Sequence, residues 1–161
     1  MSTSGSSDGG GPSAADLVGA WRVLGWQIEY ASGRKSRPFG LDPLGLLVYS
    51  ADGWMNVCIA RNDRIPLGVA GGRLAAPAQQ AAAFASYFSY AGRYEVGGGT
   101  VTHHVVVALD PAFVGTRQER TIELQGTELT LSAHETGPGG ARRHALSWRR
   151  AATDRTSPRG L

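Results

Sequence analysis

The chain has 161 residues, a hydrophobic content of 42% and a formal net charge of +3, which suit one folded domain with its own core. No apolar run approaches the roughly 20 residues of a membrane-spanning helix, and the single cysteine, Cys58, excludes an internal disulfide. The charge is dispersed, without a basic stripe or an aromatic–basic motif, so neither nucleic acid nor a membrane is expected as a partner.

Three segments divide the chain. Residues 1–12 are rich in glycine and serine and are predicted to be disordered, as is the tail 152–161. Residues 13–151 are predicted to form one domain. The N-terminus lacks the basic and apolar regions of a signal peptide, which together with the lone cysteine favours a cytoplasmic location.

Short strand-like runs fill most of this domain. After a helical turn that begins at Ser13, the pattern predicts strands over 21–30, 46–50, 54–60, 93–96, 101–109, 117–124, 128–133 and 144–150. Eight antiparallel strands in this order leave two unpaired edges unless the sheet closes. The predicted fold is therefore all-β, an eight-stranded antiparallel up-and-down barrel, which either is filled by its own side chains or holds one small ligand.

One inserted α-helix is predicted over 77–91. Pro77 suits a first helical position, and an apolar stripe at helical spacing follows it, formed by Phe84, Tyr87, Phe88 and Ala91. The preceding loop, 65–76, is long enough to suggest a functional role. The loop and helix are expected to lie over one end or a flank of the barrel.

Alternation along the strands selects candidate interior residues. His103 shares a face with Val101 and Val105, so His103 is predicted to point inward and His104 outward. A phase error of one residue would exchange the two histidines. In the first strand, a bulge at Gly25 would reconcile two competing apolar sets.

A small group of polar residues is predicted to carry the chemistry. The catalytic candidates are His103, Arg120 and Tyr94, because histidine exchanges protons near neutral pH and the other two polarise an enol or carbonyl oxygen. The predicted ligand-binding residues are Tyr49, Met55, Gln27, Gln118, Tyr87 and Phe88. The alternative interpretation is that these groups only satisfy one another in a buried network. No metal site and no cofactor are predicted, since no metal-ligand spacing or glycine-rich phosphate loop occurs.

Six motifs within about residues 16–150 resemble those of the small bacterial lipocalin-like domain family. They are LVGAW at 17–21, DPxGxLxYxxDGxM at 42–55, YAGxYEV at 90–96, VTHH at 101–104, VGT at 114–116 and LxWxR at 146–150. The resemblance implies an up-and-down barrel with a hydrophobic cavity. It also implies that Trp21 packs across the closed end of the barrel against an arginine of the last strand, for which Arg150 is the matching residue.

The function that this resemblance implies is a barrel for a small hydrophobic molecule of polyketide or terpenoid type. Some lipocalin-like barrels are cofactor-free cyclases or isomerases of natural-product pathways, in which orientation of the substrate alone accelerates the reaction. Two alternatives stay open: a non-catalytic binding or carrier protein, and a structural or interaction domain with a filled barrel. A homodimer is also left open, because fold does not decide function.

Overall fold

The computed structural model describes residues 10–152, so the predicted tails 1–12 and 152–161 lie almost wholly outside the described residues. Besides two 3₁₀ turns at Gly72–Leu74 and Pro111–Phe113, two α-helices and nine strands follow one another in the described residues. They are α1 (Ala14–Leu17), β1 (Gly19–Tyr30), β2 (Lys35–Ser36), β3 (Leu44–Tyr49), β4 (Trp54–Ala60), α2 (Pro77–Ala85), β5 (Tyr87–Gly97), β6 (Thr100–Ala108), β7 (Arg117–Gln125), β8 (Glu128–Gly137) and β9 (Gly140–Arg150).

Strand β1 closes the sheet into a barrel. From β3 to β9 each strand pairs antiparallel with the next one in the chain. Strand β1 pairs with β3 through residues 19–22 and with β9 through residues 21–30. The predicted closed barrel of eight antiparallel strands is therefore confirmed, and the two-residue strand β2 is an addition at the edge of β1.

A bulge in β1 decides which of its side chains face inward. The register against β9 shifts between Val23 and Gly25, which confirms the predicted irregularity at this point. Trp21 and Val23 face the interior before the bulge, and Trp26 and Ile28 face it afterwards. Without the extra residue, one of these two apolar pairs would be turned to solvent.

Helix α2 is shorter than predicted, and β5 is longer. The helix ends at Ala85, and the chain continues from Tyr87 as a strand that pairs with β4 from Ala60 onward. The apolar stripe therefore divides between two elements, and pairing with Ile59 of β4 packs the partly buried Phe88 against the core. Neither helix in the described part of the chain has the length and apolar character that crossing a bilayer requires.

The closed end of the barrel is packed around Trp21. Its ring is fully buried, and its Nε1 donates a hydrogen bond of 2.8 Å to the carbonyl of Leu17. The guanidinium of Arg150 lies 4.1 Å from the centroid of the same ring. Arg150 also donates to the carbonyls of Val18 and Asp16, at 2.8 and 2.6 Å. Arg150 of β9 thus holds the backbone around α1 against the last strand. Its position on the ring of Trp21 is the packing that the family resemblance implies.

Replacing Trp21 with alanine is expected to lower the free energy of unfolding by about 3–5 kcal/mol, because a fully buried ring is lost and a cavity remains. Chemical denaturation measures this change. Trp54→Ala is the matched control: Trp54 is 45% exposed on the outer face, so its loss is expected to cost less than about 1 kcal/mol. Equal and small losses in both variants would contradict the role given to Trp21.

Candidate functional site

The end of the barrel opposite Trp21 is built from aromatic side chains. The loop after β2 supplies Phe39, and its ring stacks on Trp26 with the centroids 5.1 Å apart. Phe88 lies 5.4 Å from Trp26 and 5.6 Å from Phe113, centroid to centroid. We call these four residues the aromatic mouth. They come from two strands and two loops, so the barrel has to close before they meet.

A pocket of 210 Å³ opens at the aromatic mouth. Its walls are mainly apolar, and its lining consists of Phe39, Phe84, Ala85, Tyr87, Phe88, Leu109, Asp110 and Phe113. The carboxylate of Asp110 accepts a hydrogen bond from the backbone of Ala112 at 2.9 Å, which holds the loop that carries Phe113. Apolar walls with few polar groups are the usual form of a small-molecule site.

Beneath the mouth, His103 lies between two tyrosines. Its Nδ1 is 2.7 Å from the hydroxyl oxygen of Tyr90, and its Nε2 is 2.7 Å from that of Tyr49. All three side chains are buried. The ring of Tyr90 also contacts Phe88 at a centroid distance of 5.6 Å, so this Tyr–His–Tyr chain of Tyr90, His103 and Tyr49 begins directly at the aromatic mouth.

The Tyr–His–Tyr chain is uncharged at ordinary pH. Burial, reinforced by the positive charge of Arg120, lowers the pKa of His103 to about 3. Burial raises the pKa of Tyr90 to about 12 and holds that of Tyr49 well above its usual range. A neutral imidazole has one donor and one acceptor nitrogen, so one tyrosine donates to His103 and the other accepts from it. The O–H group of the accepting tyrosine is not used in these two hydrogen bonds, so the Tyr–His–Tyr chain has one hydroxyl hydrogen left to donate.

Of the three catalytic candidates, only His103 belongs to the Tyr–His–Tyr chain, and Tyr94 and Arg120 lie around it. His103 points inward as predicted, whereas His104 lies on the outer face and contacts Glu95 at 2.9 Å. Tyr94 is the ladder partner of His103, but its hydroxyl donates to the carbonyl of Ser50 at 2.8 Å, toward the closed end. Tyr94 therefore lies near His103 as predicted, but its hydroxyl is directed away from the imidazole, and a catalytic role of Tyr94 stays a prediction.

Arg120 faces the interior but makes no hydrogen bond to His103. Its Nη2 donates to Oε1 of Gln118 at 3.1 Å, and its Nη1 donates to the carbonyl of Glu119 at 2.8 Å. Gln118 in turn donates to the hydroxyl of Thr116 at 2.8 Å. Arg120 acts on His103 through its charge, which disfavours a second positive charge nearby and so lowers the histidine pKa.

The predicted ligand-binding residues do not all lie together. Tyr49 belongs to the Tyr–His–Tyr chain and Phe88 to the aromatic mouth. Met55 is buried in the core opposite Tyr49, toward the closed end. Gln27 alternates with the inward Trp26 and Ile28 and so lies on the outer face, a correction that follows from the bulge. Tyr87, the ladder partner of Ala60, lines the mouth pocket, and Arg64 lies 5.0 Å from its ring centroid.

Four residues of this site were not predicted from the sequence. Tyr90 was missed because the predicted strand began at residue 93, although Phe88, Tyr90 and Tyr94 already show the two-residue period of one strand face. Trp26 was missed because the face of its strand was ambiguous. Phe39 lies in a loop and Phe113 in a single 3₁₀ turn, where no periodicity assigns a side chain to either face.

A larger groove of 810 Å³ lies outside the barrel, between the loop 61–67 and α2. Two of its three charged residues, Arg61 and Asp63, pair with each other at 2.6 Å, and the third is Arg64. Unlike the mouth pocket, its lining includes no residue of the barrel interior. Within residues 10–152, no three histidine, cysteine or acidic side chains come together as a metal site.

The barrel domain matches a known protein family. The family described as "Lipocalin-like domain" matches residues 18–151. No curated protein matches the chain significantly. Three chains of solved structures match, among them the structure of EF1p2_mFAP2b bound to DFHBI, with 12% sequence identity and a TM-score of 0.43, over 86% of this chain and 97% of that one. A likeness of this degree carries no functional argument.

The burial of His103 predicts a specific loss of stability in acid. The unfolded chain protonates this histidine near its ordinary pKa of about 6.5, whereas the folded protein protonates it only near pH 3. Between these values the unfolded state binds more protons, so acidification lowers the free energy of unfolding by up to about 1.4 kcal/mol per pH unit.

His103→Gln is expected to flatten this acid dependence, measured by denaturant unfolding between pH 7 and pH 4. Glutamine keeps one donor and one acceptor but does not titrate. His134→Gln is the control, because His134 is exposed on β8, and its profile should follow that of the unchanged protein. Parallel profiles for all three proteins would show that His103 is not held neutral by the fold.

Proposed function

Because this chain belongs to the lipocalin-like domain family, we propose that its barrel binds a small, mainly apolar molecule at the open end. The observation that carries the proposal is the position of the mouth pocket, whose Phe88 and Phe113 pack on Tyr90 of the neutral Tyr–His–Tyr chain. Apolar walls supply the affinity through burial, and a spare hydroxyl hydrogen beneath them gives one oriented polar contact.

The pocket also limits the size and shape of the ligand. Sites for drug-sized molecules occupy about 300–1,000 Å³, so the mouth pocket, at 210 Å³, suits a ligand smaller than these. Flat ring systems pack well against aromatic side chains in stacked or edge-on arrangements, which Phe39, Phe88 and Phe113 offer. A polyketide or terpenoid origin of the ligand and a cytoplasmic location of the protein stay predictions from the sequence.

A filled barrel is the strongest competing interpretation. Near the closed end, Trp21, Trp148 and Leu129 are almost completely buried and occupy the interior. This packing agrees with a purely structural role for that half of the barrel. The proposal of ligand binding therefore concerns the mouth alone, and its test compares substitutions at the mouth with substitutions elsewhere.

Leu109→Trp is expected to weaken binding of a neutral aromatic probe at least tenfold, because the larger side chain fills the mouth pocket that Leu109 lines. Titration calorimetry with naphthalene carboxamide and with N-phenyl-naphthylamine measures this. Ala82→Trp is the matched control, since Ala82 is exposed and lines only the outer groove.

The outcomes of this titration separate the three interpretations. Binding that Leu109→Trp weakens and Ala82→Trp leaves unchanged supports the mouth. If only Ala82→Trp weakens binding, the ligand binds in the outer groove and not at the mouth. Failure of both probes to bind the unchanged protein would overturn the proposal in favour of the filled barrel.

A second candidate function is cofactor-independent cyclisation or isomerisation of the bound molecule. The spare O–H hydrogen of the Tyr–His–Tyr chain favours it, because when Tyr90 is the accepting tyrosine its hydroxyl can donate to a ligand carbonyl and polarise it. With a pKa of about 3, His103 is a weak base, so the expected chemistry is a pericyclic or hydrogen-bond-assisted step in an oriented substrate rather than proton abstraction.

Tyr90→Phe is expected to remove this polarisation. The carbonyl stretching frequency of tetralone, a small bicyclic ketone, should lie below its value in apolar solvent when tetralone is bound to the unchanged protein. With the variant, the frequency should stay near the apolar-solvent value. Infrared difference spectroscopy measures the shift. Tyr94→Phe is the comparison, because the hydroxyl of Tyr94 is bonded to Ser50, and this variant should keep the shift. An identical carbonyl frequency in all three proteins would remove the support for catalysis.

A further inference from the structure

The inner face of β7 carries one positive charge. Arg120 alternates with the outward residues Glu119 and Thr121 and shares its face with Ile122, which is buried in the core. The outward Arg117 lies 3.9 Å from a carboxylate oxygen of Glu119 and from one of Glu95, at the protein surface. Arg120 is only partly exposed, and its neighbours on the same face are Gln118 and Ile122.

Arg120 differs from the other arginines of its neighbourhood in having no acidic partner. Its guanidinium donates to an amide oxygen and a backbone carbonyl. Within residues 10–152, no carboxylate oxygen lies within 4.0 Å of it, whereas Arg142, Arg143 and Arg149 are each paired with a glutamate. Charged groups that leave bulk solvent are usually paired with an opposite charge, so the missing partner calls for an explanation.

The barrel wall separates beside Arg120. Strands β7 and β8 pair through residues 121–125 and 128–132, and the pairing ends at Thr121 and Ser132. Residues 117–120 and 133–137 therefore run on without pairing to each other, while β8 stays paired with β9. The next residue of β8 is the small Ala133, so the inner surface beside Arg120 is left free of bulky side chains from this strand.

A second donor, which makes no hydrogen bond within the described residues, faces the same region. His144 is the ladder partner of Ala133, and its Nδ1 accepts a hydrogen bond from Nε1 of Trp26 at 3.3 Å. The proton of the neutral ring is therefore on Nε2, which is buried and makes no hydrogen bond within the described residues. Glu135 lies 3.4 Å from this nitrogen, but its carboxylate is held by Arg142 at 2.8 Å.

We propose that the ligand of the mouth carries a carboxylate, which Arg120 binds from the inner face of β7 and to which His144 adds a hydrogen bond. This inference rests on the proposed function and names the chemical class of its ligand: a small, largely apolar carboxylic acid. A bidentate pair between arginine and carboxylate is the strong and oriented form of this contact. Glu135 is in contact with Arg142 and only feels the charge of Arg120 from a distance, so no carboxylate of the described residues occupies the guanidinium of Arg120.

The Tyr–His–Tyr chain lies close enough to feel this charge. Arg120 lowers the pKa of His103 and opposes the burial that raises the pKa values of Tyr90 and Tyr49. The strand register gives the path from the mouth to Arg120: His144 is bonded to Trp26 of the aromatic mouth, and Arg120 follows His144 across Ala133 on the inner faces of neighbouring strands. Trp26 belongs to the mouth and also orients His144, so the apolar and the anionic parts of the site share one residue.

The test compares two probes of nearly equal shape, naphthalene carboxylate and the neutral naphthalene carboxamide, by titration calorimetry at pH 7. The unchanged protein is expected to bind the carboxylate about tenfold or more tightly than the amide, as expected for a charge-assisted contact in a partly buried site. Arg120→Gln should abolish this preference while the affinity for the amide stays unchanged. Arg120→Lys should keep part of the preference, because the charge remains and the bidentate geometry is lost.

Arg117→Gln is the matched control, since it removes an arginine from the outward face of the same strand and should leave the preference intact. Thermal unfolding of each variant checks that the barrel has folded. Equal affinities for the two probes in the unchanged protein, or a preference that survives in Arg120→Gln, would overturn the inference and leave apolar binding standing. Failure of both probes to bind would instead contradict the proposed function.

Discussion

The ladder between β1 and β9 is the interaction on which the rest of this structure depends. It joins strands from the two ends of the domain, and it runs along β1 from Trp21 to Tyr30. The same ladder contains the bulge that turns Trp26 inward and the pairing that sets His144 beside it. At the closed end of the barrel, Arg150 donates hydrogen bonds to two backbone carbonyls that precede β1. Closure of the barrel and formation of the mouth are therefore one event.

The two ends of the barrel differ in their polar groups. At the closed end, the indole nitrogen of Trp21 is bonded to the Leu17 carbonyl, whereas the buried indole nitrogen of Trp148 makes no hydrogen bond within the described residues. At the open end, a guanidinium without an ion-pair partner, an imidazole nitrogen without a hydrogen bond and a spare tyrosine hydrogen lie around one aromatic cluster. Unsatisfied buried polar groups destabilise a fold. Several such groups around one cluster mark the open end as the candidate binding site.

The sequence predicted the barrel well because its strands alternate clearly and its turns are short. The inward direction of His103 followed from its valine neighbours, and the bulge in β1 followed from two competing apolar sets. The partners of His103 could not be predicted in the same way. Tyr49 and Tyr90 lie far apart in the chain and meet only across the closed interior, and Phe39 and Phe113 come from loops without a period. The predicted end of α2 was wrong because the stripe from Phe84 to Ala91 fits a helix locally. Residues 87–91 form a strand because they pair with β4 and β6, which the local pattern does not reveal.

Closure by the first and last strands has a consequence for how the protein reaches its native state in a cell. The ribosome releases β1 early, whereas β9, its main partner, is made last. Synthesis proceeds at about 5–20 residues per second, so β1 waits on the order of ten seconds with one edge unpaired. During that interval, the apolar side chains of a growing, open sheet are exposed to other nascent chains. The barrel therefore cannot close until β9 has been made, and its yield is expected to depend on chaperones that shield the open sheet until then.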